Sequence, residues 1–124
     1  MGTHCILDLY GCPPDLLDDA DFLQAAMQHA AERANVTVLK VVAHQFHPHG
    51  VTVLGLLAES HLSIHTWPES HYAAVDVFTC GESVQPDRAC ESLIETLQAQ
   101  SHQLQTLERN VPLAAIALAE TSRN

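Results

Sequence analysis

The sequence predicts an α+β fold, a two-layer sandwich in which a largely antiparallel sheet carries two helices on one face. Three observations predict it. Short apolar runs rich in β-branched residues recur along the chain and stop at Gly and Pro signals. Two other stretches repeat their apolar residues at helical spacing. The order is strand, helix, several strands, helix, strand, and the chain of 124 residues has the size of one domain.

Taken in order, Cys5 to Tyr10 reads as a strand stopped by Gly11-Cys12-Pro13-Pro14. Asp18-Asp19-Ala20-Asp21 supplies a cap and an acidic first turn, and Phe22, Leu23, Ala26, Met27, Ala30 and Ala34 follow at helical spacing, giving a helix over about 19–34 with Asn35 as its stop. Val36 to Phe46 and Val51 to Ala58 read as strands of a hairpin turned by His47-Pro48-His49-Gly50. Leu62 to Thr66 is extended and ends at Trp67-Pro68-Glu69, and Tyr72 to Thr79 is a further strand. Pro86 can open the second helix, about 87–99, whose apolar face is Ala89, Leu93, Ile94 and Leu97. Gln103 to Glu108 reads as a last strand, and Val111 to Ala119 fits strand or helix equally.

Composition bounds the function. Hydrophobic residues make up 47% of the chain, which argues against disorder. The longest apolar stretch, Val51 to Ala58, is broken by Thr52 and Gly55 and falls far short of the roughly 20 residues of a membrane span. The first residues carry no basic region followed by an apolar run, so a cytoplasmic location is expected, and the four cysteines are expected as thiols. Cys5, Cys12 and Cys90 read as small buried apolar residues. A net charge of −10 with five basic residues is a poor surface for nucleic acid. It favours cationic ligands, although acidity alone reads more simply as solubilising charge.

The informative stretch is Glu59-Ser60-His61-Leu62-Ser63-Ile64-His65-Thr66-Trp67-Pro68-Glu69, followed by Tyr72-Ala73-Ala74-Val75-Asp76-Val77-Phe78-Thr79-Cys80-Gly81. Three chemistries compete for it. A Ser or Cys nucleophile with a His base would make a hydrolase, but there is no Gly-x-Ser-x-Gly elbow. His44, His47, His49, His61, His65 and Cys80 offer metal ligands, yet His-Glu-x-x-His is absent and no metal is expected. The third is self-cleavage: the Ser60 hydroxyl attacks the carbonyl before it, which becomes feasible where the backbone is strained and the oxyanion has a donor. Elimination from the resulting ester and hydrolysis then leave a pyruvoyl group. Taken singly, Ser60 reads as a turn serine, His65 as a structural histidine, Cys80 as a buried thiol, and Trp67 and Phe46 as packing residues.

The two blocks together resemble the signature of the prokaryotic S-adenosylmethionine decarboxylase proenzymes, a pyruvoyl-dependent family. The likeness is close over 59–81 and looser at His4 to Cys12 and Phe46 to Thr52. It implies one domain over 1–124 that cuts between Glu59 and Ser60 into chains 1–59 and 60–124, with Ser60 becoming the pyruvoyl cofactor. It implies His65 as the processing base, Cys80 as the catalytic proton donor and Phe46 as the platform for adenine. Trp67 and Glu69 fall in the substrate region, Glu69 toward the ribose. Thr52 stands where relatives often have serine, a hydroxyl that assists processing. The resemblance also implies a homodimer with sites at the subunit interface, S-adenosylmethionine as substrate, and a product that donates an aminopropyl group to spermidine and other polyamines.

These roles are chemically coherent. A ketone can take up the substrate amine and accept electrons as carbon dioxide leaves. A thiol of ordinary pKa, about 8.5, is still protonated at neutral pH and can return a proton. One conflict remains: in a regular strand Ser60 and His65 point to opposite faces, so one shared site predicts a bulge, turn or break near 59–63. Two alternatives stay open: the same chemistry on ornithine or arginine, and, from another class, an inactive regulatory partner or a histidine-based metal-binding module.

Overall fold

The computed structural model describes residues 2–110. Six strands form one sheet: β1 (Gly2–Tyr10), β2 (Val38–Gln45), β3 (Val51–Leu57), β4 (Ser60–Trp67), β5 (Tyr72–Cys80) and β6 (Ser101–Arg109). Their spatial order is β2-β3-β4-β5-β1-β6, and every neighbouring pair is antiparallel. The helices are α1 (Pro14–Leu17), α2 (Ala20–Arg33) and α3 (Pro86–Thr96). The two longer ones pack on each other and on one face of the sheet, so the α+β sandwich expected from the sequence is the fold observed.

The strand pattern explains this layering. In β3 the residues Val51, Val53, Gly55 and Leu57 are buried, while Thr52, Leu54 and Leu56 face the other way. In β5 Ala73, Val75, Val77 and Thr79 are buried in the same alternation. Leu23, Met27, Ala30 and Ala31 of α2 and Ala89, Cys90 and Leu93 of α3 close the layer above them. Each of the larger fully buried side chains stabilises the fold by about 1.5–3 kcal/mol relative to exposure. Gly55 permits the closest approach: a Cβ there would stand 2.7 Å from Met27 Sδ. Asp19 caps α2 by accepting the Phe22 N–H at 3.0 Å, and Asn35 leaves the helix at φ +59°.

Two features differ from the expectations. Pro13-Pro14 ends β1 but also opens a single helical turn, α1, with proline at its first position. Pro68–Ser70 forms a 3-10 turn between β4 and β5. The run 111–119, left open between strand and helix, lies outside the described residues. Cys5, Cys12 and Cys90 are buried free thiols. Burial pushes the Cys12 thiol up to about 11.

Candidate active site

The helices leave one sheet face uncovered, and the cross-strand register shows which residues occupy it. Thr52 pairs with His65, Leu54 with Ser63 and Leu56 with His61. On the next strand His61 pairs with Phe78, Ser63 with Asp76, His65 with Ala74 and Trp67 with Tyr72. His65, Trp67, Thr52 and Cys80 therefore share this open face. Ser60 pairs with Leu57 and Thr79, both on the helix-covered side.

At one end of β4, a cleft of about 340 Å³ is lined by Phe46, His49, Gly50, Thr52, His65, Thr66, Trp67 and Glu69. Thr52 Oγ1 and His65 Nδ1 are hydrogen-bonded at 2.9 Å. Phe46 stands edge-on to His44 with ring centroids 4.6 Å apart. Trp67 leans on Tyr72 at 5.4 Å, and Tyr72 stacks on Tyr10 at 5.6 Å, so the cleft runs into an aromatic ladder. The Tyr72 hydroxyl donates to Asp8; burial, then that bond, raise Tyr72 to about 12. The Glu69 carboxylate meets the His49 ring across the cleft mouth.

At the other end, Ser60 and His61 line a separate hollow of about 640 Å³ with Leu39, Leu56, Leu57 and Ala58. Ser60 carries φ +151°, a backbone region that suits glycine and costs a serine about 1–3 kcal/mol. The carbonyl oxygen of Glu59 accepts the Cys80 N–H at 3.0 Å. The Glu59 carboxylate accepts the Thr37 N–H at 3.0 Å, and Ala58 N–H donates to Thr37 O at 2.9 Å, so the turn ahead of Ser60 is held from both sides. Ser60 Oγ lies 3.1 Å from His61 Nδ1. Gly2 makes room for the neighbouring thiol: a Cβ there would stand 2.9 Å from the Phe78 ring and 3.3 Å from Cys80 Sγ. Arg109 covers the Phe78 ring at 5.1 Å.

The site residues thus divide into two groups. Phe46, Thr52, His65, Trp67 and Glu69 gather at one end of β4, and Glu59, Ser60 and Cys80 at the other. Five residues at ~3.3 Å per residue separate Ser60 from His65 by about 16 Å. Of the bulge, turn or break expected near 59–63, the structure has the turn at Ala58-Glu59 and the positive φ of Ser60 that follows it, while β4 pairs with β3 and β5 without a shift from Ser60 to His65. The sequence reading missed His61 as the Ser60 neighbour, although adjacency was a visible signal. It also missed the Cys80 backbone N–H, which only strand pairing reveals. Among the described residues, no group of three or more His, Cys, Asp or Glu side chains is placed to hold a metal ion.

An antiparallel sheet layered with helices on one side, with a histidine–aromatic cleft on its open face and a strained serine at the start of β4, defines an α+β protein of the self-processing class. A family model described as S-adenosylmethionine decarboxylase matches residues 3–110. The S-adenosylmethionine decarboxylase proenzyme of Parasynechococcus marenigrum (strain WH8102) is 54% identical over 123 residues, covering 99% of this chain and 94% of the relative. That of Thermodesulfovibrio yellowstonii is 40% identical over 111 residues, 90% of this chain and 82% of the relative. The crystal structure of the adenosylmethionine decarboxylase from Aquifex aeolicus VF5 superposes with a TM-score of 0.84 at 39% identity, over 90% of this chain and 92% of that one. The chain belongs to the S-adenosylmethionine decarboxylase family.

Proposed function

We infer that the protein is an autoprocessing carboxy-lyase that converts S-adenosylmethionine to its decarboxylated form, the aminopropyl donor of polyamine synthesis, using a pyruvoyl group made from Ser60. The single observation that carries the reading is the Glu59–Ser60 peptide: a strained serine follows a carbonyl whose oxygen already accepts the Cys80 N–H. That is the arrangement an N-to-O acyl shift needs, since strain raises the ground state and the amide stabilises the developing oxyanion.

In processing, Ser60 Oγ bonds to the Glu59 carbonyl carbon, the peptide C–N bond breaks, and the hydroxyl proton passes to the departing nitrogen. Loss of the Ser60 α-proton then expels Glu59 as a free carboxylate. Addition of water and release of ammonia leave a ketone at the head of chain 60–124. The residues around the cut fit this group. When present, it supplies an electron sink for the departing carboxylate. Cys80, half-buried beside Ser60 on the neighbouring strand, delivers the proton that replaces it. Phe46 and Trp67 offer flat apolar surfaces to adenine, and Glu69 offers oxygens to the ribose hydroxyls. Ornithine or arginine would leave both aromatic faces without a partner.

The distance between the groups supports a composite site in a homodimer. His65 and Thr52 are too far to act on Ser60 of their own chain, but a second copy laid face to face would bring its cleft to that serine. The open face also carries Val42, Leu54 and Leu56, exposed at 52, 48 and 53%. Apolar groups clustered on an uncovered face mark an interaction surface. No helix of the described residues is long and apolar enough to cross a membrane, and a cytoplasmic site of action suits a small-molecule substrate.

Intact-mass measurement of the purified protein tests the reading. We expect two fragments, 1–59 and 60–124, the larger trapped by hydrazine at its amino end, and one whole chain for Ser60→Ala. Wild-type protein that stays whole sinks it.

A further inference from the structure

Two buried hydroxyls, Thr79 Oγ1 and Ser92 Oγ, find no hydrogen-bond partner among the described residues. Buried polar groups are almost always paired, and an orphan calls for a reason. Thr79 is 1% exposed and is the last core-facing residue of β5. It stands directly opposite Ser60 in the register of β4 and β5. Its own peptide bond leads into the Cys80 N–H that already touches the Glu59 carbonyl oxygen at 3.0 Å. The Ser60 hydroxyl is turned to His61 and so does not satisfy it. The unsatisfied O–H donor therefore belongs to the residue paired with Ser60 and one peptide before the N–H that holds the Glu59 carbonyl oxygen, the atom the processing reaction converts to an oxyanion, and that oxygen has a second lone pair to offer.

We propose that Thr79 is a processing residue: its hydroxyl donates to the Glu59 carbonyl oxygen as Ser60 Oγ bonds to the carbonyl carbon, beside the Cys80 N–H. Thr79 keeps its proton throughout; the proton that moves is that of Ser60, to the leaving nitrogen. A donor that is unpaired in the uncut fold and paired in the tetrahedral state lowers the barrier from both ends, because only the transition state gains the bond. Ser92 lies on α3, and its orphaned hydroxyl is an internal control of the same kind.

The proposal rests on self-cleavage between Glu59 and Ser60, and the test separates the two. Wild type, Thr79→Val, Thr79→Ser and Ser92→Ala are made by cell-free synthesis with a short label, and conversion of the whole chain to fragments is followed by mass. Thr79→Val keeps the shape and removes the hydroxyl; we expect cleavage roughly a hundredfold slower. Thr79→Ser should run near the wild-type rate and Ser92→Ala at it. Melting in an uncut Ser60→Ala background shows that Thr79→Val is folded, and Thr79→Ala replaces it should valine not fit. Cleavage of the hydroxyl-free variant at the wild-type rate overturns the role, as does equal slowing in Thr79→Val and Thr79→Ser. A wild-type chain that never cuts overturns instead the self-cleavage reading beneath it.

Discussion

The two ends of β4 are built differently. The His65 end is an open cleft of ordinary backbone, where function lies in side chains: an aromatic pair, a hydroxyl on an imidazole, a carboxylate. The Ser60 end is built from the main chain. A positive φ, a carbonyl on the Cys80 amide and a turn tied to Thr37 put one peptide bond under constraint. Under the proposed function the first end supplies substrate contacts and the His65 base, and the second holds the peptide bond that is cut. A straight strand of about 16 Å separates them, and the composite-site proposal has each end of one copy serving the other end of its partner.

The largest effect that can break this comparison is in the pairing of copies. A His65→Asn chain should stay whole when made alone, and so should Ser60→Ala. Made together, the His65→Asn chain should be cut, because each Ser60→Ala partner lends it an intact His65. Random pairing in a symmetric dimer puts about half of the His65→Asn chains in such a pair. Mass analysis of the mixture reads this directly, and an uncut mixture would mean that His65 acts within its own chain.

A smaller effect belongs to the recognising end alone. Phe46→Ala should be processed at the wild-type rate yet show a KM for S-adenosylmethionine raised roughly tenfold, since stacking a base on an aromatic ring is worth about 1–3 kcal/mol. Steady-state carbon dioxide release measures it. Slowed cleavage with unchanged KM would place Phe46 with the reacting end instead.

The smallest effect concerns how the cleft is held. Asp18 Oδ1 accepts the Gly50 N–H and Gln45 Nε2–H, each at 2.8 Å, and so ties the Phe46 to Gly50 turn to the corner between α1 and α2. These bonds, the Gly50 amide first, hold its carboxyl below the usual carboxylate range. A depressed folded pKa gives stability that is present above the ordinary aspartate value, about 3.9, and is lost as pH falls through the folded value. Denaturant melts of Ser60→Ala with and without Asp18→Asn should show a gap that is steady near pH 7 and narrows below pH 4. A gap of equal size at both pH values would remove the carboxylate from this account.

The reacting end was also the harder to read from sequence. Alternation in Val51 to Leu57 and Tyr72 to Thr79 marked strands plainly, because one face of each is buried and one is not. The strand from Ser101 to Arg109 was weaker since all nine of its residues are exposed at the sheet edge. The helical turn at Pro14–Leu17 hid behind two prolines that read only as a stop. Motif order brought Ser60, His65 and Cys80 together as a set, and strand alternation put Ser60 and His65 on opposite faces, but the sequence could not show that β4 runs straight between them. The irregularity was expected because Ser60 and His65 were placed at one shared site; in the composite site proposed above, a second copy would remove the need for it. The amide of Cys80 and the hydroxyl of Thr79 carry no motif, because their roles come from β4–β5 pairing.

The order of strands bears on what the proposed cut between Glu59 and Ser60 would do to the pieces. The first strand of the chain lies between β5 and β6, both of which belong to the second fragment, while β4 of that fragment lies against β3 of the first. Each fragment would therefore pair with the other along three seams, β3–β4, β5–β1 and β1–β6, and a cut between Glu59 and Ser60 would not part the sheet. Covalent continuity would be lost, but the architecture stays interlocked. Unfolding of a processed protomer must then release two separate polypeptides, so dilution opposes its stability in a way the intact precursor never experiences.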